Sequence, residues 1–277
     1  MSIKKLEEEL DVKIFERGAS EVTVTPLGDE IVRQAQRVIE QASVIKEIAM
    51  RGKDPVSGPL RLGVIYTIGP YLLPDLVKQA IEDVPQMPLM LQENFTAKLL
   101  EMLRTGELDC AILAEPFPDT GLAVAPLYDE PLVAALPAKH PLAKRKTLTA
   151  EELKAENMLL LGTGHCFRDH VLEVCPEYAR FASPTTQGGD GMRKSFEGSS
   201  LETIKYMVAS GMGVTVVPQL SVPAESQPHI KYIKFSAPAP TRRVVLAWRR
   251  SFPRYEAIAA LRNAIYACPL LGVKRLS

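Results

Sequence analysis

The sequence predicts an α/β protein of two sheet-and-helix units facing a cleft, preceded by a long helix and a small helix–hairpin element. Three observations carry this prediction. From Leu60 onward, short apolar runs alternate with amphipathic stretches, the order that yields sheets covered by helices. Residues 26–50 repeat aliphatic and small side chains at heptad spacing, which marks a long packed helix. Between these textures lies Gly52-Lys-Asp-Pro-Val-Ser-Gly-Pro59, a linker composition.

The bulk numbers fit that plan. At 277 residues and 46% apolar content, the chain can fill one large or two medium cores. Its 33 basic and 33 acidic side chains cancel, so no global field draws it to nucleic acid or membrane. Four cysteines in a chain this long do not make a secreted disulfide framework, and no two are close enough for a zinc-ligand pair. No apolar run approaches the roughly 18 residues of a membrane span, and no export signal is legible, so the expected location is the cytoplasm. P-loop, GxGxxG, HExxH and GxSxG motifs are missing.

In chain order, Ile3, Leu6 and Leu10 recur at helical spacing behind Ser2 as a candidate N-cap. Val12, Ile14 and Phe15 lead through a turn to Val22-Thr-Val24, a hairpin. Thr25 caps and Pro26 opens a helix running to about Met50. Ile31, Ala35, Val38, Ala42, Ile45 and Ala49 step by four and three along it, an a/d seam suited to dimerisation. Then residues 60–66, 89–95 and 108–113 read as strands, with helices over 69–84 and 97–105 between them. That order predicts a parallel sheet with right-handed crossovers. A second unit follows. It has strands near 122–126, 132–136, 158–161, 193–197, 213–217 and 230–235, a helix opening at Thr149, and another over 200–210. A strand over 242–250 and a helix over 254–267 close the chain. Two such units place a ligand cleft between them.

The most chemical stretch is Gly162-Thr-Gly-His165-Cys166-Phe-Arg168-Asp-His-Val-Leu-Glu-Val-Cys175. Residues after Cys166 suit a short helix, which puts the thiol at its N-terminus, where the dipole favours negative charge. Cations beside it are expected to lower the thiol pKa further. Such a thiolate is oxidised by peroxide to a sulfenic acid, which a second thiol resolves to a disulfide. Cys175 is the candidate resolving thiol. If residues 166–175 are helical, the two Cα atoms lie about 13 Å apart, whereas a disulfide needs roughly 7 Å. The bond therefore requires the helix to come apart. Two ordinary core cysteines is the plainer reading of the pair, but the glycines, histidine and arginine around Cys166 argue against it. Cys110, in an apolar strand, and Cys268, at the end of an apolar helix, do read as inert core thiols. Residues 242–277, with Glu256 as their single acid, read as a solvated basic face.

Specific motifs now point to a family. Ser2-Ile-x-x-Leu-Glu-x-x-Leu, Ile14-Phe-Glu-Arg and Thr25-x-x-Gly resemble the end of the winged helix-turn-helix of LysR-type transcriptional regulators. Gly63-Val-Ile-x-Thr-Ile-Gly-Pro-Tyr-Leu-Leu-Pro, Leu108-Asp-Cys-Ala-Ile-Leu, Asp129-Glu-Pro-Leu and Ser200-Leu-Glu-Thr-Ile-x-x-Met-Val-Ala-x-Gly-x-Gly-Val-Thr-x-Val-Pro resemble that family's effector domain. Gly-His-Cys-x-Arg-Asp with its second cysteine is similar to the peroxide-sensing OxyR group. The resemblance spans residues 2 to about 250.

It implies a partial DNA-binding module over 1–25, with Ser2, Lys4 and Lys5 as contact residues, and a linker and dimerisation helix over 26–52. It also implies a two-subdomain, periplasmic-binding-protein-like effector domain over 58–277. Subdomain I would take 58–128 and 236–277, and subdomain II 129–235. Cys166 would be the peroxidatic cysteine and Cys175 the resolving one. Peroxide would be held by Thr67, Thr96, His165 and an arginine on the late strand; Arg242 and Arg243 adjoin there, and Arg242 is preferred. Thr67 and Thr96 equally suit the caps of the helices that follow them. The implied activity is peroxide-responsive transcriptional activation, with promoter DNA, a homodimeric or homotetrameric partner and a cellular thiol reductant, and no cofactor. Alternatives are a LysR-type regulator taking a small organic anion in the cleft, and a thiol peroxidase.

Overall fold

A computed structural model of the chain describes residues 3–17, 22–51, 55–118, 121–180, 195–198 and 200–276. It divides into two compact units, Met1–Pro55 and Val56–Ser277. The predicted contact residue Ser2 and the side chain of Ala49 lie outside the described residues.

The first unit opens with α1 (Ile3–Leu10), whose Lys4 and Lys5 are exposed. The Glu7 carboxylate accepts hydrogen bonds from the backbone N–H of Ile14 (2.8 Å) and Phe15 (3.1 Å), fastening the helix to the hairpin that follows. In that hairpin β1 (Phe15–Arg17) pairs antiparallel with β2 (Val22–Val24). The Thr25 hydroxyl accepts from Gly28 N–H at 2.8 Å, the N-cap that starts α2 (Pro26–Arg51). Along α2, Ile31 is half-buried, while Ala35, Val38, Ala42 and Ile45 are exposed. Val38 at 60% and Ile45 at 69% exposure leave the heptad seam uncovered within this chain.

The second unit is built on a nine-stranded mixed sheet. β3 (Leu60–Ile65) lies between β4 (Leu89–Asn94) and β5 (Cys110–Glu115), all parallel, with α3 (Gly69–Asp83) and α4 (Thr96–Thr105) as crossovers. β6 (Ala123–Pro137) is the strand on which the unit turns. Its first half pairs antiparallel with β12 (Thr241–Trp248), which also pairs with β5. Its second half pairs antiparallel with β10 (Thr215–Pro218) and β11 (Ile230–Phe235). β7 (Thr147–Leu148) and β13 (Lys274–Arg275) complete the sheet. A separate parallel pair joins β8 (Met158–Leu161) to β9 (Ser195–Gly198). α5 (Cys166–Val174), α6 (Leu201–Ala209) and α7 (Tyr255–Ala267) cover the strands.

Buried apolar side chains form two clusters, one from residues 60–128 and 244–270, the other from 132–235. Three expectations need correction. The two sheets are continuous through β6 rather than separate, with β12 entering antiparallel between β5 and β6. The strands expected at 122–126 and 132–136 are one strand. Its Pro126 sits beside a register shift opposite Val244/Val245, and Pro131 where β6 changes partners, so neither proline breaks a ladder. The helix expected at Thr149 is a single 3₁₀ turn (Glu151–Leu153) that buries only Leu153. Its sequence has no apolar stripe that a longer helix would pack.

Candidate functional site

The site lies where three chain turns meet: the β3–α3 turn, the start of α4, and the turn that enters α5. The last is shaped by Gly164, whose φ of +98° is left-handed and whose missing Cβ leaves room for the Phe95 ring; a Cβ there would sit 3.3 Å from it. His165 occupies the N-cap position without a side-chain cap, and Cys166 is the first residue of α5, as the sequence suggested.

Thr67, Thr96, His165 and Cys166 all line one small chamber, of about 10 Å³ for the centre of a water-sized molecule. That is room for about one such molecule. Neither threonine caps its helix. The N-cap positions are Ile68 and Phe95, and neither makes a side-chain cap bond. The Thr67 hydroxyl instead accepts from Arg242 Nη1 at 2.9 Å, while Nη2 donates to the Thr67 carbonyl at 3.0 Å. With its oxygen engaged by the guanidinium, Thr67 keeps its own proton to donate. The Thr96 hydroxyl is buried and forms no well-made bond to another oxygen or nitrogen; it acts on the Cys166 sulfur, where it favours the thiolate.

The adjoining arginines separate cleanly. Arg242 is 2% exposed, whereas Arg243 points outward and pairs with Asp129 at 2.8 Å. Arg242 is held from the far side by Glu130, itself fully buried: Nε donates to Oε2 at 2.8 Å. Glu130 Oε1 accepts from Leu220 N–H at 2.7 Å, so both carboxylate oxygens are engaged. The guanidinium also lies over the Phe167 ring, 5.1 Å from its centroid. A charge pair this deep persists because both carboxylate oxygens and all three guanidinium nitrogens are engaged.

The Cys166 thiol itself departs from expectation. Burial pushes its pKa up, and this outweighs the lowering by Thr96 and by the Arg242 charge; Asp169 adds to the rise. The helix terminus was read correctly, but the charge that lowers the pKa is that of the distant Arg242 rather than of Arg168, which donates to the Leu161 carbonyl at 2.8 Å, and desolvation dominates. Cys175 terminates α5, is fully buried in the second core, and burial beside Glu177 pushes its pKa up to about 12. All four cysteines are free. Since α5 is continuous from Cys166 to Val174, the two Cα atoms stand about 13 Å apart along its axis. Cys110 and Cys268 are buried thiols in the first core.

Sequence reasoning assigned no role to Glu130, although it lies within the Asp129-Glu-Pro-Leu motif. It also passed over Phe167, Tyr66, Phe95 and His170. The His170 Nε2 lies 2.7 Å from the Glu115 carbonyl, its Nδ1 is buried without a partner, and burial depresses its pKa. This bond ties α5 to the end of β5. Against the chamber lies a wider cleft of about 370 Å³. Its carboxylates are Glu93 and Glu202, and Glu93 sits against Gly69 at the N-terminus of α3, where a Cβ would meet its Oε1 at 1.8 Å. Glu202 is engaged by Lys205 Nζ at 2.9 Å and by the Tyr71 hydroxyl. Among the described residues, no three His, Cys, Asp or Glu side chains cluster as metal ligands. No described helix is long and apolar enough to cross a membrane.

Comparison with known proteins agrees with this geometry. Residues 53–267 match the family described as the LysR substrate binding domain. A hydrogen peroxide-inducible genes activator from Pectobacterium carotovorum is 38% identical over 261 residues, covering 93% of this chain and 83% of its own length. A full-length OxyR variant from Pseudomonas aeruginosa shares 48% identity with a TM-score of 0.77, covering 96% of this chain and 86% of that one. The oxidised form of an OxyR shares 35% identity with a TM-score of 0.63, covering 77% of this chain and 99% of that one. The chain therefore belongs to the LysR family of transcription regulators, in its OxyR group.

Proposed function

We propose that this chain is a hydrogen-peroxide-responsive transcriptional activator that signals through a reversible Cys166–Cys175 disulfide. The observation that carries this reading is the chamber. A half-buried thiol at a helix N-terminus faces Thr67, Thr96 and His165 in a space for about one small molecule, backed by a buried arginine. In this reading the Cys166 thiolate attacks one peroxide oxygen. An S–O bond forms, the O–O bond breaks, and the departing hydroxide leaves as water after taking a proton. Sulfur loses the two electrons that peroxide gains. Thr67, whose proton is free to donate, and the Arg242 charge stabilise the leaving oxygen.

Cys175 then attacks the sulfenic sulfur and expels its oxygen as water. For that, α5 must unwind, releasing Phe167 and Val171 from the second core and His170 from Glu115. The chain around α5 refolds, and the change passes to DNA-reading elements built on α1 and the β1–β2 hairpin. Lys4 and Lys5 are the exposed cations on that element. The uncovered seam of α2 suits a second copy of the chain, giving a dimer or tetramer. A cytoplasmic thiol reductant resets the pair, and the protein acts as a regulator rather than as an enzyme.

The test is the rate at which Cys166 is oxidised by hydrogen peroxide in the full chain, with Cys166→Ser as control. The reading predicts oxidation at least about 100-fold faster than a free thiol at the same pH, from placement and charge stabilisation. A rate equal to that of a free thiol contradicts it.

A further inference from the structure

The chamber and the cleft are neighbours, and the same side chains line both: Tyr66, Thr67, Phe95 and His165. Three of these are rings in mutual contact. Phe95 meets His165 edge-on at 4.8 Å, and Tyr66 meets Phe95 edge-on at 5.3 Å and His165 at 5.8 Å. On one side is space for about one water-sized molecule, and on the other a cleft of about 370 Å³. Phe95 is wedged against Gly164, the residue two before the thiol, where even a methyl group would press on the ring. Phe95 and Tyr66 are each more than a third exposed, so neither ring is there to fill a core. Large apolar rings held at a cavity mouth, in register with one another, act on what passes them.

We infer that the Tyr66–Phe95–His165 cluster is a size filter that admits hydrogen peroxide to Cys166 and excludes alkyl hydroperoxides, with Phe95 as the specificity-determining residue. This deepens the proposed function and rests on it. The chemistry would be the same for either substrate. The thiolate bonds to the terminal peroxide oxygen, the O–O bond breaks, and the other half leaves as water or, from an alkyl hydroperoxide, as an alcohol after taking one proton. Discrimination is therefore steric. An alkyl group on the leaving oxygen needs the volume that the rings occupy, and removing one ring joins the chamber to the cleft, which holds such a group easily.

The experiment compares rates of Cys166 oxidation by hydrogen peroxide and by tert-butyl hydroperoxide in the full chain and in Phe95→Ala, with Tyr66→Ala as a second opening. The wild-type chain should prefer hydrogen peroxide by at least about 100-fold, and Phe95→Ala should reduce that preference at least about tenfold, the range of apolar-pocket discrimination. The gain should come from the bulky substrate, with the hydrogen peroxide rate held within about threefold, because Thr67, Thr96 and Arg242 are untouched. An unchanged preference in both variants, with hydrogen peroxide still reacting fast, overturns the filter and leaves the proposed function standing. A wild-type thiol that reacts slowly with both peroxides overturns the two together.

Discussion

If disulfide formation unwinds α5, the packing of that helix sets the redox potential of the pair, and Val171→Ala reads this directly. Val171 is 3% exposed and belongs to the second core, five residues past the thiol. Removing its two methyl groups costs about 2 kcal/mol in the reduced state, from lost transfer energy plus an unfilled cavity. In an oxidised state that has already released α5, the same change costs almost nothing. The reduced form alone is weakened, so reduction becomes less favourable and the midpoint potential falls. At about 30 mV per 1.4 kcal/mol for two electrons, the shift is about 40 mV to more negative values. Ile265→Val, in the first core on α7, is the control. It costs about 1 kcal/mol in both states and should leave the potential unchanged. The assay equilibrates each protein in dithiol buffers of graded potential, traps free thiols by alkylation and counts them by mass. If Val171→Ala lowers the thermal stability of the reduced protein yet leaves the potential in place, α5 stays packed on oxidation and the refolding argument is wrong.

The two arginines give a second contrast. Arg242→Ala strands Glu130 as a buried unpaired charge, costing about 3–5 kcal/mol, and should slow Cys166 oxidation about 100-fold. Arg243→Ala removes only an exposed pair with Asp129 and should leave both melting temperature and rate close to wild type. For Cys166, a raised pKa means that the thiolate fraction is still climbing at neutral pH. The oxidation rate should rise with pH into and beyond the ordinary thiol range, and Thr96→Val should lower the neutral-pH rate by removing an interaction that favours the thiolate. His170 works in the opposite direction. Its folded pKa is depressed, so as pH falls through the ordinary histidine range the unfolded chain takes up a proton that the folded chain refuses, and stability drops. Melting curves between neutral pH and pH about 5 should show that loss, and His170→Gln, which can still donate to the Glu115 carbonyl, should reduce it.

Much of this site was legible because its chemistry is written locally. Gly162-Thr-Gly-His-Cys-x-Arg gives a tight turn, a helix start and a thiol in one stretch, and α5 begins at Cys166. The pairing of Thr67 and Thr96 was legible only through family resemblance. Their own sequence context reads equally well as helix capping, which the structure does not use. The thiol pKa was misjudged because the helix end is visible in sequence, while the burial that raises the pKa and the Arg242 charge that lowers it both come from distant chain. Glu130 was missed for the same reason. It meets Arg242 across 112 positions and Leu220 across 90, so nothing near it in sequence signals a buried ion pair. The continuity of β6 was hidden by its prolines, which break a strand only where a ladder bond is needed.

The central claim is most directly tested by titrating the fully reduced chain with low micromolar hydrogen peroxide and mapping its cysteine-containing peptides without reduction. The account predicts one new linkage, Cys166 to Cys175, formed in proportion to peroxide and lost in Cys166→Ser, with Cys110 and Cys268 remaining as free thiols. A Cys166 that stays reduced while other thiols oxidise, or that pairs with Cys110 or Cys268 instead, would contradict it.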